Sequence, residues 1–350
     1  MIITITMNPA IDKTVSVPAL KVGKLNRVTG VREDAGGKGI NVSKTIQSLG
    51  GKSLAVGFLG GMAGWQIANT LDKMHIEHDF VRIREATRTN LKVTGDDGFV
   101  TEINEPGPEI TEDELAGLFD KLTNAIRIGD YVIISGSLPK GINTDIYDKL
   151  ITLVHDKGAF AFVDADGEGL IKALSCVPDI VKPNYEELEK YIENSGFHLD
   201  EKRTEKQELL SRVEAKLKKA GIGEKAGDGL SDSEISLITS AYLMGNLVRE
   251  QGVREVIVSL GELGALFLIQ DTHYYCPALE VDAISTVGAG DALVAAYSYS
   301  SERGEDMEQK LKISIAASAG AVTTGGTSPA GMNTIREFIQ RVKILRLNTP

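Results

Sequence analysis

The sequence predicts an α/β fold with a mostly parallel central sheet and a small second sheet beside it. Short apolar runs, each ending near Gly, Asn or Asp, alternate with longer stretches of helical periodicity. This alternation is typical of right-handed βαβ units, whose strands are buried on both faces of a parallel sheet. The predicted strands are Ile2–Met7, Leu54–Leu59, Tyr131–Ser135, Phe160–Asp164 and Val256–Leu260, and the predicted helices are Gly39–Leu49, Trp65–Met74, Thr111–Ile126 and Thr144–Lys157.

Two segments depart from this alternation and predict the second sheet. Residues 12–33 and 82–106 are β-like, with alternating polarity along Asn90–Thr94 and Phe99–Ile103. We expect them to form a lid over the strand ends, where open α/β sheets bind their ligands. The α/β core is then expected to comprise residues 1–11, 34–81 and 107–345.

The stretch of residues from about 195 to 251 is predicted to add two surface helices joined by a mobile loop at 221–230. Val213 and Leu217 lie on one face of the first helix, and Ser231 with Glu234 forms a capping box before the second. A partner-binding surface is the alternative interpretation. Earlier in the chain, Trp65 is expected to pack its helix against the sheet.

The composition excludes several classes of function. The chain has 38 basic and 49 acidic residues, a net charge of −11, so we expect no non-specific attraction to nucleic acid or to anionic membranes. The two cysteines, Cys176 and Cys276, lack the spacing of a disulfide framework and indicate a reducing compartment. There is no basic leader and no apolar run of roughly 18 residues, so a cytoplasmic location is expected.

The strongest local motif is Ser285–Asp291, STVGAGD, which runs into a helical stretch. Gly288 and Gly290 let backbone amides approach an anion closely, and the start of the helix adds partial positive charge. A carboxylate beside a bound phosphate is electrostatically unfavourable unless it accepts a proton. Asp291 is therefore predicted to be the base for an attacking hydroxyl, and a glycine turn capped by this residue is the alternative.

A second glycine-rich motif, Gly36–Asn41 or GGKGIN, also enters a helix. Lys38 supplies a point charge for a phosphate, and Asn41 can both donate to and accept from sugar hydroxyls. The sequence contains neither a Walker GxxxxGK[ST] nor a GxGxxG after a strand, so no P-loop and no dinucleotide site are expected. In NPAID, after the first strand, Asp12 could accept from two sugar hydroxyls or could make the turn after Pro9.

Two further motifs suit a nucleotide. In Lys182–Glu187, KPNYEE, the pair Asn184 and Glu187 has the spacing of a helix-capping box. Capping does not exclude function, because Lys182 could reach nucleotide phosphates while the other two organise hydrated Mg²⁺. The segment Ser259–Gly264, SLGELG, follows a strand and suits a turn under a nucleotide.

Together and in this order, NPAID, GGKGIN, GSLP at Gly136–Pro139, KPNYEE, SLGELG and STVGAGD resemble the motifs of the PfkB family of ribokinase-like carbohydrate kinases. The resemblance runs from Met1 to about Val342 and implies a three-layer ribokinase-like fold with a β-sheet lid. It is closest to the branch that contains the 1-phosphofructokinases and tagatose-6-phosphate kinases, which implies ATP-dependent phosphorylation of a phosphorylated ketohexose. Thr89–Val93, after Arg88, and STVGAGD are more similar to the 1-phosphofructokinases, and this resemblance implies fructose 1-phosphate, converted to fructose 1,6-bisphosphate. Tagatose 6-phosphate, or a non-catalytic sugar-phosphate sensor on the same fold, is the alternative.

The resemblance also implies a role for each motif residue. Asp291 would be the base, and the backbone of Gly288, Ala289 and Gly290 would be the anion hole. The sugar phosphate would be bound by Asp12, Gly37, Lys38, Asn41, Arg88 and Ser137. ATP would be bound by Lys182, Asn184, Ser259, Leu260, Gly261, Glu262, Leu263, Gly264 and Gly290, and Mg²⁺ by Glu187 through water. A homodimer through the lid is the expected assembly, and the unusual length between Glu187 and Ser259 leaves a regulatory contact open.

Overall fold

The computed structural model describes residues 1–96, 98–195, 203–220, 230–270 and 272–347. The strands are β1 Ile2–Thr6, β2 Ala10–Val17, β3 Gly30–Gly36, β4 Ser53–Leu59, β5 Glu77–His78, β6 Val81–Arg82, β7 Arg88–Gly95, β8 Val100–Asn104, β9 Tyr131–Ser135, β10 Phe160–Asp164, β11 Ile180–Val181, β12 Glu255–Ser259, β13 Ala265–Ile269, β14 Thr272–Cys276 and β15 Leu345–Arg346. The helices are α1 Lys38–Ser48, α2 Gly61–Lys73, α3 Glu112–Ala125, α4 Ile146–Asp156, α5 Gly167–Ser175, α6 Tyr185–Asn194, α7 Arg203–Lys219, α8 Asp232–Glu250, α9 Ala289–Glu302, α10 Met307–Val322 and α11 Met332–Ile339.

The central sheet has the strand order β15-β14-β13-β12-β11-β10-β9-β1-β4-β5, and β6 also pairs with β4. Pairing is parallel from β12 to β5 and antiparallel from β12 to β15. The prediction of a mostly parallel central sheet is therefore confirmed. Because parallel strands place their carboxyl ends at one edge, the residues that follow β1, β9, β10 and β11 lie side by side.

Helices cover both faces of this sheet, because successive side chains of a strand point to opposite faces. On β9, Ile133 packs in a buried cluster with Val42 of α1 and with α9 and α10. Its neighbour Val132 packs in a different cluster with Leu118 of α3 and Leu150 of α4. The result is the three-layer arrangement that the resemblance implied.

The second sheet has the order β3-β2-β7-β8, with β2 and β7 parallel and the outer pairs antiparallel. Its two faces differ in polarity. On one face Asp12 is in register with Asp34 of β3 and with Asn90 of β7. On the other face Val15 and Val93 form a small apolar cluster. The small separate sheet is confirmed, and its polar face carries the residues expected to meet a sugar.

Helix α8 is a core helix, so the prediction of two surface helices is wrong for the second of them. Ile238 and Tyr242 are fully buried in a cluster with strands β12 and β13. At Gly245 a Cβ would lie 2.4 Å from the Leu268 side chain, so only glycine allows this close approach of helix and sheet. Most of the predicted loop, residues 221–229, lies outside the described residues. No helix in the described ranges, α8 with its 19 residues included, is both long and apolar enough to cross a bilayer.

The prediction for Trp65 is also wrong. This residue lies on α2 but is 62% exposed, and Met62 one turn before it is 75% exposed. The buried contacts of α2 are made instead by Ile67 and Leu71, which belong to the cluster shared with α1 and β4. An aromatic residue in an amphipathic helix need not lie on the buried face.

Candidate active site

The residues of the site come from neighbouring strand ends and from two helix starts. Asp164 is the last residue of β10, and Lys182 follows the adjacent strand β11. Ser137 follows β9 and Asn8 follows β1, the next two strands of the same sheet. The motifs at helices α1 and α9 reach the same edge, so segments far apart in sequence line one cleft between the sheet and the lid.

Helix α9 begins at this cleft with a glycine that no other residue could replace without strain. Gly288 is the N-cap, with φ of 85° in the left-handed region. Two residues on, Gly290 faces Lys182, whose Nζ would lie 3.6 Å from a Cβ at that position. The first turn therefore presents backbone amides, including that of Ala289, and the positive end of the helix dipole without side-chain obstruction.

Asp291 lies in this first turn and is 8% exposed. Its Oδ2 accepts a hydrogen bond of 2.8 Å from Nδ2 of Asn41 on helix α1. Burial, together with the charge of Asp164, raises the pKa of Asp291 to about 6, although the Asn41 bond and the nearby lysines Lys38 and Lys182 oppose this shift. A carboxylate with such a pKa is ionised at neutral pH and readily accepts a proton.

Asp164 connects two lysines across the cleft, and the sequence motifs had not identified it as a site residue. It is 1% exposed, and its Oδ1 lies 3.1 Å from Nζ of Lys182 and 3.3 Å from Nζ of Lys38. Burial alone would raise the pKa of Asp164, but the two ammonium groups outweigh it and leave the pKa below the usual range. In turn, Asp164 is the main cause of the raised pKa of Lys38.

The lid completes the opposite wall. Asp12 on β2 is buried, and its Oδ1 accepts a 3.1 Å hydrogen bond from Nδ2 of Asn90 on β7. Next to it, a Cβ at Gly36 would lie 2.3 Å from Oδ2 of Asp12, so a side chain there would displace this carboxylate. Gly37, with φ of 115°, is the N-cap of α1 and brings Lys38 to the cleft.

Arg88, at the start of β7, lies where the lid meets the sheet. Its Nη2 donates to the Asn8 carbonyl at 3.2 Å and lies 3.5 Å from Oγ of Ser137, while its Nη1 donates to the Glu105 carbonyl at 2.7 Å. The Asn8 side chain in turn donates to Oγ of Ser137 at 3.3 Å. A cavity of about 340 Å³ adjoins this guanidinium and is lined by Glu85, Ala86, Arg88, Glu105, Pro106, Gly107 and Pro108.

Several buried polar atoms around the cleft have no hydrogen-bond partner within the described ranges. They are Oδ1 of Asn8, Oδ1 of Asn41, Oδ1 of Asn90 and Nε of Arg88. A buried polar group without a partner costs about 1–3 kcal/mol. Three of these atoms are acceptors and one is a cationic donor, which is the complement of a ligand that has hydroxyls and an anionic group.

On the far side of Lys182, Asn184 and Glu187 form the predicted capping box at the start of α6. Oδ1 of Asn184 accepts from the Glu187 amide at 2.8 Å, and Oε2 of Glu187 accepts from the Asn184 amide at 2.9 Å. The described residues hold no group of three or more His, Cys, Asp or Glu able to enclose a metal ion. Mg²⁺ in phosphoryl-transfer sites needs only one or two carboxylates with substrate phosphates and water, and Glu187 fits this because the cap uses one of its two oxygens.

The turn after β12 lies beside this cap, since Asn184 forms an isolated parallel bridge with Ser259. Residues Gly261–Leu263 form a single 3-10 turn, in which Gly261 and Glu262 are exposed. Gly264, with φ of 100°, ends the turn against the backbone of residues 276–278. The Leu260 side chain is 7% exposed and packs in the core, so only the backbone of this residue could meet a nucleotide.

The fold and the cleft define a phosphotransferase of the α/β class, with a buried carboxylate, Asp291, at a helix start near two lysines. A family profile described as pfkB family carbohydrate kinase matches residues 1–229 and 229–334. The chain belongs to the pfkB family of carbohydrate kinases, and it is an enzyme of that class.

Individual relatives agree with this assignment. The chain is 31% identical to the 1-phosphofructokinase of Borreliella burgdorferi over 99% of this chain and 96% of the relative. It is 29% identical to the 1-phosphofructokinase of Bacillus subtilis over 99% and 100% of the two chains. A solved structure of phosphofructokinase-2 from Escherichia coli, in complex with substrates and products, superposes with a TM-score of 0.79 at 26% identity, covering 97% of this chain and 98% of that one.

Proposed function

We propose that this carbohydrate kinase transfers the terminal phosphoryl group of ATP to the C6 hydroxyl of fructose 1-phosphate, which gives fructose 1,6-bisphosphate. One observation carries the proposal. Asp291 lies at the amide-lined start of α9, near the ion pairs that Asp164 forms with Lys38 and Lys182. The names of the two curated relatives support fructose 1-phosphate as the acceptor.

In this proposal Asp291 is the general base. Its carboxylate is ionised near neutral pH and is held in place by Asn41, so it can accept the proton of the attacking hydroxyl as the new O–P bond forms. The amides of Gly288, Ala289 and Gly290 would receive the transferring phosphoryl group, where negative charge is spread over three oxygens. The electron pair of the breaking bond leaves with ADP.

The acceptor sugar would lie between the lid and the sheet. Arg88, Lys38 and Ser137 would bind its phosphate, because a guanidinium and an ammonium give charge-assisted hydrogen bonds to phosphate oxygens. Its hydroxyls would be held by Asp12, Asn41 and the backbone of Gly37. The oxygens of Asn8 and Asn90 that have no partner among the described residues add two acceptors that the motifs had not assigned.

ATP would occupy the other side of the cleft. Lys182 faces Gly290 and would contact the phosphates, while Asn184 and the turn Ser259, Leu260, Gly261, Glu262, Leu263 and Gly264 would contact the remainder of the nucleotide. Glu187 would hold Mg²⁺ through water. When bound, Mg²⁺ neutralises charge on the phosphate oxygens.

We also propose a homodimer formed through the lid. Val31 of β3 and Ile103 of β8 are each 57% exposed. By strand register both lie on the face of the lid that carries Val15 and Val93, opposite to the face that carries Asp12. A second copy covering this face would bury them. The two unpaired cysteines support a cytoplasmic location for the assembly.

A substrate panel tests the proposed reaction. ADP release by the purified chain, with ATP and Mg²⁺, is measured for fructose 1-phosphate, tagatose 6-phosphate and fructose 6-phosphate. We expect the highest kcat/KM with fructose 1-phosphate. A higher kcat/KM with tagatose 6-phosphate would show that this sugar is the acceptor, with the same phosphoryl transfer. Binding of a sugar phosphate without ADP release would indicate a sensor.

A further inference from the structure

Lys44 is a buried charged residue of helix α1 that the proposed reaction does not use. It is 5% exposed, although lysine is rarely buried unless it is paired. Its Nζ donates to the Ala35 carbonyl at 2.8 Å and to Oγ1 of Thr327 at 2.9 Å. The same helix carries Lys38 and Asn41 into the cleft, so Lys44 anchors the helix that supplies two of the site residues.

The two partners of Lys44 belong to different parts of the molecule. Ala35 is the residue before the end of lid strand β3, where the lid joins α1. Thr327 lies in the connection between α10 and α11, here called the 323–331 loop, and its Cα would be 3.9 Å from a Cβ on Gly288. One ammonium group therefore joins the lid, helix α1 and the loop that packs against the start of α9.

A second set of contacts also joins lid strand β3 to the 323–331 loop. Arg32 on β3 donates from Nη2 to the Gly325 carbonyl at 2.6 Å and to Oγ of Ser328 at 3.1 Å. A Cβ at Gly325 would lie 2.5 Å from Nη1 of Arg32, and one at Gly326 would lie 2.7 Å from its Nη2. The two glycines leave room for the guanidinium, so the loop is shaped to receive β3.

Charged groups face Lys44 from both neighbouring lid strands and from helix α9. Asp34 and Arg32 face it from β3, Asp12 from β2 and Asp291 from α9. Burial lowers the pKa of Lys44 to about 8, and the three carboxylates limit the shift. The ammonium form makes charge-assisted bonds to Ala35 and Thr327, and above a pH of about 8 the neutral amine makes weaker ones.

We propose that Lys44 is a positioning residue. Its ammonium group holds lid strand β3 and the 323–331 loop against helix α1, which fixes the position of the lid wall of the cleft relative to the core wall. Asp12 on the lid and Gly288 at the start of α9 then keep fixed distances from Lys38 and Asn41. An apolar side chain could fill the same space, but it could not bind the Ala35 carbonyl or Thr327. This inference rests on the proposed function.

The test uses Lys44→Met, with Thr327→Val to remove one acceptor and Thr327→Ser to keep it. Lys52→Met is the matched control, because Lys52 is exposed. We expect Lys44→Met and Thr327→Val to lower kcat/KM for the sugar phosphate by about 10- to 100-fold, since a misplaced site costs up to about 100-fold. Thr327→Ser and Lys52→Met should stay within about twofold of wild type, and KM for ATP should be unchanged in all four.

The pH profile separates positioning from a general loss of structure. For the wild type, kcat/KM should fall as the pH rises through about 8, because Lys44 loses its proton. In Lys44→Met the residual activity should be flat over that range. A flat wild-type profile, or Thr327→Val equal to Thr327→Ser, would overturn the proposal even if Lys44→Met fails to fold.

Amide hydrogen exchange, measured without substrates, distinguishes failure of the positioning role from failure of the proposed function. Lys44→Met should speed exchange in both β3 and the 323–331 loop, whereas Lys52→Met should not. If the wild type turned over no sugar phosphate but this exchange pattern held, the proposed function would fail and the positioning role would stand. Unchanged exchange in both segments would overturn the positioning role.

Discussion

The two walls of the cleft satisfy their polar groups in different ways. On the core wall, Asp164 pairs with Lys38 and Lys182, and Asp291 accepts from Asn41, so the charges compensate one another before any ligand arrives. On the lid wall, Oδ1 of Asn90 and the charged Nε of Arg88 are buried without partners in the described part of the chain. The core-wall atoms that share this state, such as Oδ1 of Asn8 and Oδ1 of Asn41, are neutral.

The difference indicates that the core wall stabilises charge during the reaction and that the lid wall recognises the sugar. Groups that must hold charge during phosphoryl transfer are arranged in advance, and a fixed arrangement of charges stabilises a transition state without reorganisation. Groups that recognise the sugar leave hydrogen-bonding capacity open for it. Mutations that break the ion pairs of the core wall should therefore reduce stability, whereas mutations on the lid wall should reduce affinity.

The largest expected effect on stability is that of Asp164→Asn. The change leaves two ammonium groups facing each other in a buried site, and breaking a buried pair costs about 3–5 kcal/mol in free energy of unfolding. Because Lys38 is partly exposed, we expect the lower end, about 3 kcal/mol, by urea denaturation at neutral pH. Asp166→Asn, at an exposed position two residues on, is the control and should change the free energy of unfolding by less than about 0.5 kcal/mol.

Arg88→Leu should sharpen the contrast from the lid side. Loss of a charge-assisted hydrogen bond costs about 1.5–3 kcal/mol, which corresponds to a rise of roughly 10- to 150-fold in KM for fructose 1-phosphate. KM for ATP should be unchanged in the same steady-state assay. An equal rise in both constants would contradict the assignment of Arg88 to the sugar phosphate.

A smaller effect is expected for Asn90→Ala. The variant removes one neutral acceptor, worth about 1 kcal/mol, so KM for the sugar should rise about fivefold. The free energy of unfolding should fall only through the lost hydrogen bond from Nδ2 of Asn90 to Oδ1 of Asp12, because Oδ1 of Asn90 has no described partner to lose. Asn104→Ala is the matched control, since Asn104 is in register with Asn90 on β8 but exposed.

The pH dependence of kcat tests the electrostatic coupling between Asp291 and Asp164 on the core wall. Asp291 must be unprotonated to act as a base, so kcat at saturating substrates should fall as the pH drops through about 6. The negative charge of Asp164 helps to raise the pKa of Asp291, and Asp164→Asn should therefore move this limb to lower pH. A limb that stays in place or moves upward would contradict the coupling between these carboxylates.

Much of this arrangement could be predicted because its signals are local. The strands Tyr131–Ser135 and Phe160–Asp164 occupy the predicted residues, since a continuous apolar run bounded by polar turns indicates a buried strand. The glycines and the aspartate of STVGAGD indicate a helix start that binds an anion from a single segment. Such motifs can be recognised within one segment, without knowing which residues pack against them in the fold.

The missed features depend on contacts between distant segments. Asp164 and Lys38 are 126 residues apart, so no motif reveals their pairing. Lys44 has the sequence context of a surface lysine, but in the fold Thr327, 283 residues away, accepts a hydrogen bond from its Nζ. Spaced apolar positions after the capping box predict a surface helix for α8, yet Thr239 is buried as well, with its hydroxyl donating to the Ile235 carbonyl.

Asp291→Asn gives the most direct test, through single-turnover quenching of the reaction with saturating ATP and fructose 1-phosphate, together with calorimetric binding of each ligand. Because folding raises the pKa of Asp291 from 3.8 to about 6, its ionisation weakens the folded state progressively between these pH values and to the full extent above about 6. At neutral pH the neutral Asn variant should therefore be folded and no less stable than wild type. The account predicts phosphoryl transfer slowed by about 10²- to 10⁴-fold, with both dissociation constants within about threefold of wild type. Transfer at close to the wild-type rate would contradict the role of Asp291 as the base.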